Sequence, residues 1–187
     1  MTGLDQFLIR AERVLARLES ILPPALPATD WNSFAFRWRR RPGAVPYLQA
    51  VAHVSNIALD DLYNIGTQKA QIEQNTRQFV ASRPANNVLL TGARGTGKSS
   101  LIKACLNQFA GQGLRLIEVD KADLADLPDI VDLVAARPER FIIFCDDLSF
   151  EEGESGYKAL KVALDGSIAA QSDNVLIYAT SNRRHLM

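Results

Sequence analysis

The chain reads as an α/β protein: a parallel sheet covered by helices on both faces, in three layers. Three observations predict this. Four short apolar segments lack strict alternation with polar residues and are separated by segments of helical periodicity, the pattern of strands buried on both sides. A glycine-rich turn joins the first of these strands directly to a helix. The 187 residues are 47% apolar and 22% charged, which suits one globular domain with an appendage.

The elements follow in order. Thr2 and Asp5 make a capping-box-like start. Leu4, Phe7, Leu8, Ala11, Val14, Leu15, Leu18 and Leu22 then recur at helical spacing until Pro23 and Pro24 end the helix. This apolar stripe has to be buried, and the rest of the chain is the expected partner. Five of the eight prolines fall within residues 23–46, so that stretch reads as an irregular connection. A helix is predicted over 68–82, with Ile72, Thr76, Phe79 and Val80 on one face. A strand is predicted over 87–91 and a helix over 98–109, ended near Gly111 and Gly113. Strands follow at 114–119, 141–145 and 175–180. A short helix over 128–136 carries proline in its first turn, and another helix covers 157–170.

Composition excludes several classes. With 21 Lys+Arg against 21 Asp+Glu, the chain is neither a basic nucleic-acid coat nor an acidic tail. Two cysteines, Cys105 and Cys145, cannot form a disulfide framework, and a reducing cytoplasmic setting is expected. They read as small buried residues. His53 and His185 show no ligand spacing. The longest apolar run is five residues, far short of a membrane span, and the charged N-terminus does not resemble a signal peptide.

The strongest chemical signal is Gly92-Ala93-Arg94-Gly95-Thr96-Gly97-Lys98-Ser99, which fits G-x-x-x-x-G-K-[ST]. A triphosphate needs several donors at once. Glycines let consecutive backbone N–H groups face it, and the following helix adds its free amides and positive dipole end. Lys98 is placed to reach the β- and γ-phosphates, and Ser99 to ligate Mg²⁺. Ser100 follows in the first helical turn. The motif comes directly after a strand and opens a helix, which is the context it requires.

The strand Phe141-Ile142-Ile143-Phe144-Cys145 runs into Asp146 and Asp147. Those acids emerge at the carboxyl end of a central strand, where open α/β sheets bind ligands. Asp146 is the candidate Mg²⁺ partner, and Asp147 the group that orients or deprotonates a water. The last strand ends in Thr180, Ser181 and Asn182, and Asn182 can bond the γ-phosphate or that water.

These residues carry a resemblance. A phosphate loop, an apolar strand ending in two acids, and a later strand ending in Asn resemble the AAA+ class of P-loop ATPases. The strings NNVLLTGARGTGKSSLIKA, GLRLIEVDKADLADLP, FCDDLSFEEGESGYKALK and NVLIYATSNRRHL are similar to an uncharacterised bacterial family within it. The resemblance covers about residues 58–187 and implies a three-layer P-loop NTPase core with residues 1–57 as an N-terminal helical extension. It implies ATP and Mg²⁺ as cofactors, residues 92–99 as Walker A, and Asp146 with Asp147 as Walker B. Asn182 would be sensor 1, on a strand between the Walker A and Walker B strands. Lys98, Asp147 and Asn182 would then be the catalytic residues. The segment Asp60-Asp61-Leu62-Tyr63-Asn64-Ile65-Gly66 resembles the stretch that packs on adenine, which makes Tyr63 and Ile65 adenine-pocket candidates. It further implies coupling of ATP to remodelling or loading of a protein or nucleic-acid partner, by a homo-oligomer.

Two departures from that class stand out. Its pattern is Asp-Glu where this chain has Asp146-Asp147. The shorter acid reaches about 1.5 Å less far, and a misplacement of about 1 Å costs about 100-fold in rate, so slow hydrolysis is expected. Glu151 and Glu152 are nearby substitutes. The class also continues into a fifth strand and a helical lid, whereas this sequence stops five residues past Asn182 and reads as truncated before the lid. Arg183 and Arg184 are candidates for contacting nucleotide or a neighbouring subunit. Finally, Phe34, Phe36 and Trp38 interleave with Arg37, Arg39, Arg40 and Arg41. That mix suits stacking and phosphate contacts on single-stranded nucleic acid, giving an ATP-gated nucleic-acid switch as the alternative. It also suits aromatics packed on the domain under snorkelling arginines, which is the expected reading.

Overall fold

The computed structural model describes residues 3–21, 28–41, 43–148 and 172–182. Its elements are α1 (Gly3–Ile21), β1 (Ala35–Arg39), β2 (Tyr47–Ala50), α2 (Gly66–Val80), β3 (Val88–Thr91), α3 (Lys98–Phe109), β4 (Leu114–Val119), α4 (Leu127–Val134), β5 (Arg140–Cys145) and β6 (Val175–Ser181). The expected helix over 157–170, Glu151, Glu152, Arg183, Arg184 and His185 lie outside the described residues.

The six strands form one sheet in the order β2-β1-β4-β5-β6-β3. All pairings are parallel except β1 with β2. Alternate residues of each strand feed opposite faces. In β5, Phe141, Ile143 and Cys145 join the core against α4, while Ile142 and Phe144 join the core against α2 and α3. This is the three-layer α/β arrangement that the unalternated apolar strands imply.

Two expectations are corrected. Residues 23–46 are not an irregular connection throughout: they contain β1, which pairs in parallel with β4 and antiparallel with β2. Phe36 and Trp38 of β1 are buried in the core, so the alternation of aromatic and arginine residues is a strand period of two. Among the described residues, the apolar stripe of α1 is not buried either. Leu4, Phe7, Leu8, Val14, Leu15 and Leu18 are exposed, Phe7 at 67%. Neither core cluster includes a residue of α1.

Asp126 fastens β1 to the turn that leads into α4. Buried at the end of a 3-10 turn, it accepts from Trp38 Nε1 at 2.9 Å. It also accepts from Arg40 Nε at 3.1 Å and Nη2 at 2.6 Å. On the opposite face, the Tyr178 hydroxyl is bonded to Thr76 Oγ1 and Asn75 Nδ2.

This packing generates two stability predictions. Asp126→Ala leaves the buried Trp38 N–H without its acceptor, at a cost of about 1–3 kcal/mol. Urea unfolding should show that loss, and an unchanged midpoint would contradict it. Burial also pushes the Cys105 and Cys145 thiols up to about 12 and the Tyr178 hydroxyl up to about 12. Their ordinary values of 9.0 and 10.0 apply in the unfolded chain, which therefore releases protons first. Stability from these groups is complete below about pH 9 and declines as pH rises toward 12. Unfolding measured across that range should show the decline, with a shallower slope in Cys145→Ala.

Candidate functional site

Strands β5, β6 and β3 are neighbours and parallel, so their carboxyl ends open on one edge. The phosphate-loop motif follows β3, the paired acids follow β5, and Asn182 follows β6. The expectation that the Asn strand lies between the other two holds. Register then sets the neighbours: Thr91 pairs with Ser181 and Cys145 with Ala179. Backbone bonds lock both loops to β6, from Gly92 N–H to Ser181 O at 3.2 Å and from Leu148 N–H to Thr180 O at 2.7 Å.

The loop's shape depends on Gly95 and Gly97, at φ +81° and +82°, a left-handed conformation that costs glycine little. At Gly97 the conformation is the constraint rather than space. A Cβ there would meet Leu62 Cδ2 at an ordinary 3.9 Å. Gly97 directly precedes Lys98, the first residue of α3, so the unbonded amides of the first turn face the loop. Thr96 Oγ1 braces it by donating to Ala93 O at 2.9 Å.

Lys98 Nζ donates to Gly92 O and Ala93 O, both at 2.8 Å, and to Asn182 Oδ1 at 2.9 Å. Asn182 Nδ2 in turn donates to Asp147 Oδ1. One chain of contacts therefore joins the loop lysine, the strand-end Asn and the second acid. A second runs through the first acid: Asp146 Oδ1 accepts from Ser99 Oγ at 2.6 Å and from Thr180 Oγ1 at 2.5 Å. The Asp147 N–H donates to Thr180 Oγ1 at 2.8 Å and to Asp146 Oδ1 at 3.1 Å. Asp147 itself has φ +52°, rare outside glycine and of the kind that clusters at functional sites.

Ser99 and Asp146 supply two oxygen donors at hydrogen-bond distance, which suits a hard cation. No group of three or more His, Cys, Asp or Glu side chains able to hold a metal occurs among the described residues. A cation here would complete its shell from water and phosphate oxygens, as Mg²⁺ does.

The remaining candidates are spread around this centre. Ser100 is partly buried in the first turn of α3, and Arg94 is exposed. Ile65, at the start of α2, packs on the core beside α2 and α3, as does Leu62. Tyr63 is 80% exposed. Sequence reasoning missed Leu62, which abuts Gly97, and Thr180, which bridges both acids. Thr180 could be found only through the β5–β6 register. The arginine-rich segment is engaged within the protein. Arg37 pairs with Glu118 at 2.8 Å, Arg39 with Gln49 and Arg40 with Asp126, and Arg41 lies over the Tyr47 ring. The packing reading of that segment holds for Phe36 and Trp38, which are buried, whereas Phe34 is 50% exposed.

No curated protein matches the chain by sequence. Among solved structures, one point mutant of Thermotoga maritima RuvB is 15% identical, with a TM-score of 0.50, over 72% of this chain and 44% of that one. A second point mutant of the same protein gives 13% identity and the same coverage and score. A DnaI structure is 20% identical over 68% of this chain and 70% of that one, with a TM-score of 0.46. This chain thus spans less than half of the RuvB chains it matches. At these identities the likeness to the RuvB chains is one of fold alone, a mostly parallel sheet covered by helices on both faces. The family model described as "Protein of unknown function (DUF815)" matches residues 31–187, and the chain belongs to that family.

Proposed function

We propose that the chain binds Mg·ATP in the loop of residues 92–99 and couples binding, with slow hydrolysis, to remodelling or loading of a partner macromolecule. The observation that carries this reading is Lys98. Its ammonium is held at the mouth of a glycine loop by two backbone carbonyls and Asn182, on the edge where α/β sheets take ligands. A β,γ-phosphate offers that ammonium anionic acceptors in place of neutral ones, and charge-assisted bonds are about twice as strong.

In this reading the loop amides and the N-terminus of α3 hold the phosphates. Ser99 and Asp146 would hold Mg²⁺, which would supply charge neutralisation to the phosphates. Asp147 orients the attacking water and accepts its proton. The water oxygen bonds to the γ-phosphorus as the bond to the β–γ bridging oxygen breaks. Asn182 holds Asp147 and the water together. Catalysis is then positioning plus electrostatics, limited by the short reach of Asp147. Ile65 and Leu62 are the favoured adenine contacts. Phosphate release without any acceptor separates this reading from a small-molecule kinase, and ATP binding without turnover would mark an interaction scaffold.

Three outcomes are expected. Lys98→Ala abolishes tight ATP binding by titration calorimetry, and equal affinity in wild type and variant would refute the loop assignment. Asp146→Asn loses most of the gain in affinity that Mg²⁺ provides, and an unchanged Mg²⁺ requirement would remove it from the metal site. Thr180→Val removes the hydroxyl that donates to the Asp146 carboxylate and accepts from the Asp147 N–H, lowering phosphate release by about 10- to 100-fold with ATP affinity nearly unchanged. A parallel loss of affinity would show that Thr180 supports the fold rather than positioning the acids.

A further inference from the structure

Helix α1 exposes a continuous apolar face. Leu4, Phe7, Leu8, Val14, Leu15 and Leu18 are all exposed. In helices of this length, stability comes mainly from packing such a face, so it calls for a partner.

The charges on α1 specify which one. At about 100° per residue, Leu4, Phe7, Leu8, Ala11, Val14, Leu15 and Leu18 occupy one arc of the helix. Asp5, Glu12 and Glu19 line one flank of that arc, and Arg10 and Arg17 the other, with Arg13 beyond them. When two such helices pack in parallel about a two-fold axis, the basic flank of each faces the acidic flank of its partner. Arg10 and Arg17 then stand near the heights of Glu12 and Glu19 across the pair, about 3 Å apart along the axis. An antiparallel pair would set arginine against arginine and acid against acid, which is unfavourable. The three arginines and three acids also cancel, so an anionic bilayer gains no net attraction.

We infer that α1 is a self-association helix that packs in parallel against α1 of a second copy of this chain. The inference is independent of the nucleotide reading, since it involves no residue of the loop or of the strand ends. It gives the chain a second-copy contact built from its first helix.

The test uses the full chain without nucleotide. Sedimentation equilibrium should give at least twice the mass of one chain for wild type and one chain for Leu8→Glu/Leu15→Glu, with thermal melting of the remaining fold unchanged. Orientation is read from Leu4→Cys and Leu18→Cys variants, since Cys105 and Cys145 are buried. Under mild oxidant each variant should form a disulfide with itself. A mixed disulfide between the two variants, with neither linking to itself, would overturn the parallel arrangement. A monomeric wild type would overturn the inference, as would a dimer that survives Leu8→Glu/Leu15→Glu. So would a monomer that binds vesicles of phosphatidylcholine and phosphatidylglycerol.

Discussion

The parallel register of β6 between β5 and β3 is the constraint on which the site depends. Pairing Thr91 with Ser181 puts Gly92 beside Asn182, and pairing Cys145 with Ala179 puts Asp146 beside Thr180. A shift of one residue in either ladder would send each apolar residue of β6 into the opposite core, where the packing is built for other side chains. Ile177 and Ala179 belong to one core, Leu176 and Tyr178 to the other. The same burial that stabilises the sheet therefore aligns the polar ends. No loop has to find its partner separately.

Given that register, the polar groups form linked contacts rather than isolated ones. Thr180 joins Asp146 to Asp147, and Asn182 joins Asp147 to Lys98. Changes at one strand end are thus felt at the other two, as expected for a network in which bonds polarise one another. The left-handed turn at Asp147 is held by the same bonds, which position the second acid despite its short side chain.

Much of the fold is legible in the sequence. Strands β3 to β6 and helices α2 to α4 fall where apolar runs, glycines and Pro128 put them, because buried parallel strands and capped helices leave strong local signals. β1 is hidden. It is short, mixes arginines with aromatics, and lies among prolines, so its strand period of two looks like an aromatic–basic cluster. The burial of Trp38 becomes visible only with Asp126, 88 residues away. In the site, Lys98, Ser99, Asp146 and Asn182 are legible from motif and strand-end position. Thr180 and Leu62 are not, because their roles depend on which strand or loop lies next to them. The exposure of α1 is unreadable for a related reason: periodicity reports an apolar face but not what covers it.

In the proposed function, the β3–α3 loop is where a nucleoside triphosphate docks. Hydrogen–deuterium exchange on the full chain, with and without Mg·ATP, tests this most directly because it reports location as well as binding. Adding Mg·ATP should slow exchange at the amides of residues 92–100, extending to 146–147 and 182, with β1 and β2 unchanged. Unchanged exchange across 92–100, or protection confined to another part of the sheet, would contradict it.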